Sequence, residues 1–247
     1  MGARTWALLA ATVALSAACG GRSAPTDDDA GASVPASTTS VPASNTTTPA
    51  DGTSLVARAS TELAVSPQPG AAPSHHLPAT TPFGSPRALL VVAQQDDWLQ
   101  VALPDRPNAS TGWIRRRDVE VRQVDEHVEI DLASRTLTLV DGDEVVLTTP
   151  IAIGSPDAPT PTGAFYVVDK LATGSPDDPY GPFAFGLSAH SDVFTDFAGG
   201  DGQVGIHGTN EPASIGQAVS HGCIRVPNDV AEVLEQQLHL GTPVTIG

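Results

Sequence analysis

The sequence predicts a mainly β protein, a small β-barrel followed by a larger twisted sheet or sandwich with few short helices. Three observations carry this. Apolar residues come in runs of four to six, as in Leu89-Leu90-Val91-Val92 and Trp98-Leu99-Gln100-Val101-Ala102-Leu103, with turn-forming residues between them; that is the spacing of strands and loops. Val128, Ile130 and Leu132 alternate with polar residues, as do Leu137 and Leu139, and Asp141-Gly142-Asp143 leads on into Glu144-Val145-Val146-Leu147, an Asp-Gly step joining two strands in a hairpin. Only one stretch has helical spacing: Val230, Val233, Leu234 and Leu238 recur at i, i+3, i+4 and i+8 behind Asn228, which suits an N-cap.

The chain begins with one positive charge at Arg4, an apolar run from Trp6 to Val13 and on through Leu15, then Ser16-Ala17-Ala18-Cys19. The run is too short for a bilayer span of about 20 residues, so residues 1–18 read as a secretory signal. The small residues before Cys19 resemble a lipoprotein processing site, which implies a lipid on Cys19 and a tether to the outer face of the cytoplasmic membrane. With Cys19 lipidated, Cys223 has no disulfide partner. Residues 19–54 then form a linker. Of the 35 residues from 20 to 54, thirty-one are Ala, Ser, Thr, Pro, Gly or Asp, leaving nothing to bury against the entropy of ordering. As a flexible coil the segment reaches about 30 to 35 Å.

Residues 55–124 hold the first set of strands, with turns at Gln95-Asp96-Asp97 and before Thr111-Gly112-Trp113-Ile114. An apolar strand, a tryptophan strand and Gly-Trp-Ile ahead of Arg-Asp-Val resemble a bacterial SH3-type domain, and the resemblance implies wall binding or a spacer. Charge separates the halves. Residues 55–125 carry seven Arg and seven Asp or Glu, whereas residues 126–247 carry three Lys or Arg and seventeen Asp or Glu, net −14 (3 − 17). Phosphates would be repelled by that second half, so no nucleic-acid partner is expected, and a cationic or amine-bearing one is electrostatically easier. The Arg115-Arg116-Arg117 run reads as a solvated turn.

Within residues 126–247, Ile151 to Ile153, Ala164 to Val168, Phe183 to Leu187 and Val204 to His207 continue the strands and place His207 at a strand end. Gly154 to Gly163 and Gly174 to Pro182 each hold three prolines, the second also Tyr180; such restricted loops suit the borders of a cleft. His190 reads as a polar strand or loop residue.

The chemistry concentrates in His207 to Cys223, HGTNEPASIGQAVSHGC. A thiol is a strong nucleophile only as thiolate, so a working cysteine needs a nearby base or positive charge. His207 and His221 both qualify, and Gly205, Gly208 and Gly222 leave room for a substrate near the backbone. A zinc site of His207, His221 and Cys223 is the rival reading, but no CxxC, HExxH or fourth spaced ligand accompanies it. We expect neither metal nor cofactor.

Gly205-Ile206-His207-Gly208-Thr209-Asn210-Glu211-Pro212, then Ser214-Ile215-Gly216, then Ser220-His221-Gly222-Cys223-Ile224-Arg225 resemble the active-site signature of the L,D-transpeptidases of bacterial cell walls, and the resemblance extends over residues 126–247. It implies that Cys223 attacks a peptidoglycan stem peptide at the bond before its fourth residue, D-alanine, and that His207 takes the thiol proton. It implies further that His221 helps to shape the site; the developing oxyanion needs donors, and the backbone N–H groups of Gly222 and Cys223 are the candidates for that hole. Ser220, Arg225, Gly208, Thr209 and Asn210 become substrate-binding or structural positions, and the Gly174 to Pro182 loop lies where the family carries a lid. Stem peptides are then the partners and carbapenem-type β-lactams the inhibitors. On this reading His207→Ala raises the apparent thiol pKa. Two alternatives remain: a wall cysteine endopeptidase or amidase, whose papain-like forms place the cysteine before the histidine, and a catalytically silent wall-binding lipoprotein.

Overall fold

The computed structural model describes residues 53–195 and 200–247, so the leader, Cys19 and most of the linker lie outside the described residues. Seven strands precede residue 125: β1 (Ser54–Arg58), β2 (Leu63–Val65), β3 (His75–Leu77), β4 (Ala88–Gln95), β5 (Trp98–Ala102), β6 (Thr111–Arg115) and β7 (Glu120–Val124). Five of them form an antiparallel sheet in the order β6-β5-β4-β1-β7. The β2–β3 hairpin is joined to it by a Ser66–Trp113 bridge. Asp96 and Asp97 make the two-residue turn between β4 and β5, with Asp96 at φ 49°, a left-handed conformation that an Asp tolerates. The Arg115 guanidinium lies 3.9 Å from the centroid of the Trp98 ring, so one arginine of the run is committed to a cation–π contact.

The second part is built from β8 (Glu126–Asp131), β9 (Thr136–Asp141), β10 (Glu144–Pro150), β11 (Ile153–Gly154), β12 (Gly163–Ala172), β13 (Phe183–His190), β14 (Gln203–His207), β15 (Ala218–Ser220), β16 (Ile224–Arg225), helix α1 (Asn228–Gln237) and β17 (Pro243–Ile246). Eight strands share one sheet in the order β10-β9-β8-β17-β12-β13-β14-β16, and β11 and β15 form a small parallel pair beside it. The protein is mainly β, as its patterning predicts. Gly142 and Asp143 make the β9–β10 turn, with Gly142 at φ 57°. Val145 and Val146 are exposed because β10 is an edge strand whose register slips between Val145 and Leu147.

One strand serves two cores. Side chains alternate across a strand, and β12 turns Phe165 and Val167 into the large core while Tyr166 and Val168 join the core of the first sheet. Tyr166, fully buried, donates its hydroxyl proton to Ala102 O at 3.1 Å. Gly241, at φ +97°, touches the first sheet as well: a Cβ there would come within 2.4 Å of Val56 Cγ1. The first sheet is thus packed directly against the part that carries the cysteine.

Helix α1 forms where expected but not by the expected device. Pro227 occupies the N-cap position without a side-chain cap bond, and Asn228 is spent elsewhere. Ala231 and Leu234 enter the core while Val233 is 37% exposed, so the buried face is rotated from the predicted one. Lys170 closes the other end, donating from Nζ to Glu235 O at 2.6 Å and Leu238 O at 2.8 Å, where a cation suits the helix dipole. No helix among the described residues is long and apolar enough to cross a membrane.

Candidate active site

Sheet register assembles the site. β14 and β16 run parallel, pairing Ile206 with Ile224 and His207 with Arg225. Both isoleucines are fully buried in the large core, so their neighbours Gly205, His207, Cys223 and Arg225 lie on the opposite face. Cys223, a free cysteine, is half-buried there. A cavity of about 150 Å³ opens over it, lined by His207, Ser220, His221 and Arg225 from the signature and by Tyr180 and Phe194 from outside it, among others.

His207 is 5% exposed and its Nδ1 lies 2.5 Å from Gly208 O. A carbonyl only accepts, so Nδ1 carries the proton and Nε2 keeps a lone pair. Burial pushes the imidazole pKa down to about 4, aided by the Arg225 charge. At neutral pH the ring is therefore a neutral base. Tyr180 stands edge-on to it, with ring centroids 4.8 Å apart.

The thiol is held above its ordinary value chiefly by burial, against a hydrogen bond with the Gly205 backbone and the charge of Arg225, which both lower it. Cys223 and His207 accordingly rest as neutral thiol and neutral imidazole rather than as an ion pair, which corrects the expectation that His207 sets the thiol pKa. Burial sets it instead, with the Gly205 backbone and then the Arg225 charge working against the rise. Arg225 Nη1 also pairs with Glu211 Oε2 at 2.5 Å. Arg225→Gln should move the pH profile of Cys223 alkylation to higher pH; an unmoved profile would show that its charge does not reach the thiol.

Burial of His207 has a second consequence. Above pH 6.5 the imidazole is neutral folded or unfolded, whereas between 6.5 and about 4 only the unfolded chain takes up the proton, so stability falls with pH in that window. The full loss from this one group is about 3 kcal/mol. His207→Gln should flatten the slope in denaturant unfolding at pH 4 to 7. Equal slopes in variant and parent would contradict the assignment.

Residues 125–246 match the family model of the L,D-transpeptidase catalytic domain. A curated relative from Bacillus subtilis (strain 168), "Putative L,D-transpeptidase YqjB", is 35% identical over 133 residues, 49% of this chain and 71% of the relative. The chain belongs to the L,D-transpeptidase family. "Putative L,D-transpeptidase YkuD" of the same strain is 39% identical over 120 residues, 49% of this chain, and the match spans 65% of that relative, a little under two thirds of its length. The catalytic domain of an E. faecium L,D-transpeptidase, solved by NMR, is 28% identical, with 50% of this chain and 97% of that one covered at a TM-score of 0.37.

In this member of the L,D-transpeptidase family several signature residues support the site from behind. Ser220, buried, donates from Oγ to Cys223 O at 2.5 Å and accepts the Gly222 N–H at 3.1 Å. That corrects the oxyanion assignment for Gly222, whose N–H already has an acceptor. Gly222 sits at φ +117°, so His221 and Cys223 are not consecutive same-face residues of an extended strand. His221 is exposed on the pocket rim, with its ring 5.8 Å from that of Phe194. His190 is a buried strand residue whose Nε2 lies 3.0 Å from Asp201 Oδ2. Among the described residues no group of three or more His, Cys, Asp or Glu side chains is placed to hold a metal.

Patterning missed two supports. Buried Thr160 donates to Gly222 O and accepts from Gly154 N–H, both at 2.9 Å, tying the Gly154 to Gly163 loop beneath the cysteine turn. Asn228 accepts the Thr209 N–H at 2.7 Å and donates to Pro176 O at 3.2 Å, while Asn210 donates to Asp177 O at 3.2 Å. These bonds fasten the Gly174 to Pro182 loop across the end of β14. Gly208 permits it: a Cβ there would meet Asn228 Oδ1 at 2.4 Å and Pro182 Cδ at 2.9 Å. Thr, Asn and Pro are common turn residues, so only the three-proline loops signalled this arrangement.

Proposed function

We propose that the protein is a peptidoglycan L,D-transpeptidase working through a Cys223 acyl-enzyme. The observation that carries this is the contact of His207 Nδ1 with Gly208 O at 2.5 Å, which assigns the ring proton to Nδ1 and leaves Nε2 as a neutral acceptor on the sheet face that bears Cys223. As sulfur bonds to the carbonyl carbon between the third stem residue and D-alanine, the thiol proton passes to Nε2. The carbonyl oxygen becomes an oxyanion, with the Cys223 N–H as its proposed donor. The C–N bond then breaks, and Nε2 returns the proton to the departing D-alanine amine. The side-chain amine of a second stem attacks the thioester, forms the cross-link and restores the thiol, so two easier steps replace one difficult one. The net charge of −14 over residues 126–247 suits an amine-bearing acceptor.

Carbapenem-type β-lactams would acylate the same sulfur. Incubation with a tetrapeptide stem should release D-alanine and yield a cross-linked dimer; cleavage at any other stem bond would assign the site to an endopeptidase or amidase. The tether proposed at Cys19 places this reaction at the outer face of the cytoplasmic membrane. Cys19→Ala should shift the protein from the membrane fraction to the soluble envelope or medium, because stable anchoring needs the acyl chains. Equal membrane recovery of both forms would contradict the lipid anchor.

A further inference from the structure

The loop between β5 and β6 crosses from the first sheet to the pocket wall. Asn108 binds the end of β13 twice, donating from Nδ2 to His190 O at 2.8 Å and accepting the His190 N–H on Oδ1 at 2.9 Å. Two residues earlier, Arg106 donates from Nη2 to Phe194 O at 2.9 Å and Asp201 O at 2.8 Å, and from Nε to Asp201 O at 3.3 Å. The wall is shaped to receive that guanidinium. Gly202 stands at φ +77°, and a Cβ there would lie 1.8 Å from Phe194 O and 2.9 Å from Arg106 Nη2.

What these two side chains hold is the pocket itself. Ser191, Phe194 and Gly202 line the cavity over Cys223. Ser191 N–H donates to Gly202 O at 2.9 Å, and Ser191 Oγ accepts the Phe194 N–H at 3.1 Å, so a pull on either strand of the wall is passed to the Phe194 ring that faces His221. Ordinary packing of the first part on β12 is already supplied by Tyr166 and Val168 and by the hydrogen bond from Thr81, in the β3–β4 loop, to Asp169. Arg106 adds nothing to the apolar core; its three bonds end on carbonyl oxygens of the wall.

We infer that Arg106 and Asn108 are positioning residues for the donor stem peptide, and that the first sheet thereby completes the substrate pocket of the second. The inference rests on the reading of Cys223 as the nucleophile. A wall displaced by an ångström loses productive binding without altering the Cys223–His207 pair, and misplacements of that size cost up to about 10²-fold.

The test is steady-state D-alanine release against tetrapeptide concentration for Arg106→Gln, Asn108→Ala and the double variant, with iodoacetamide alkylation of Cys223 followed against pH. The double variant should raise KM roughly tenfold or more and leave the alkylation profile in place, and Arg106→Lys should recover part of the loss. Thr81→Val, which breaks the contact between the β3–β4 loop and β12 away from the pocket, should leave KM unchanged. An unchanged KM in the double variant, or an equal rise in Thr81→Val, overturns the inference. Cys223→Ala in the same assay separates the claims: retained release there removes the nucleophile and this proposal with it, whereas abolished release with an unmoved KM in the double variant removes the proposal alone.

Discussion

His207→Ala is expected to slow acylation by a tetrapeptide donor by about 10² to 10⁴-fold, the usual contribution of a positioned general base, while leaving the thiol titration close to where it stands. The two parts come from different observations. The rate loss follows from Nε2 being the acceptor that the Gly208 carbonyl leaves open. The unmoved titration follows from a ring whose pKa is pushed down to about 4, which carries no charge to lend to the sulfur where the thiol titrates. His221, exposed on the rim, should give the smaller acylation defect. Single-turnover acylation and pH-dependent alkylation of both alanine variants decide it. A larger defect in His221→Ala would exchange their roles, and an upward shift of the thiol titration in His207→Ala would mean that the pair rests as thiolate and imidazolium.

The parts of the fold that local patterning could show were those made by neighbours in sequence. The Gly142–Asp143 hairpin, the alternating faces of β8 and β9 and the strand that ends on His207 follow from period and turn chemistry. The signature also placed Cys223, His207 and Arg225 together, because β14 and β16 bring them to one sheet face. Harder to read were contacts made across long loops. β17, four residues near the end of the chain, lies in the middle of the large sheet between β8 and β12, and no local pattern announces a partner more than a hundred residues away. Asn228 looked like a cap because capping is the commonest use of Asn at a helix start; Thr209 and the Gly174 to Pro182 loop claimed its side chain instead. Nor does the apolar run Val145-Val146 reveal that its strand is an edge and leaves both side chains exposed.

Removing the proposed nucleophile has the largest expected effect. Cys223 is the free cysteine of the described residues, it sits in the cavity with the neutral imidazole on its own face of the sheet, and no other thiol stands in the pocket lining to take its place. Cys223→Ala should therefore reduce D-alanine release to the uncatalysed background. The most direct measurement is intact mass followed by peptide mapping after exposure to the tetrapeptide donor. The parent protein should gain the mass of the donor less D-alanine on the peptide that contains Cys223, and Cys223→Ala should gain nothing. An adduct on the alanine variant at the parent's mass and stoichiometry, or one mapped to another residue of the parent, would contradict the account.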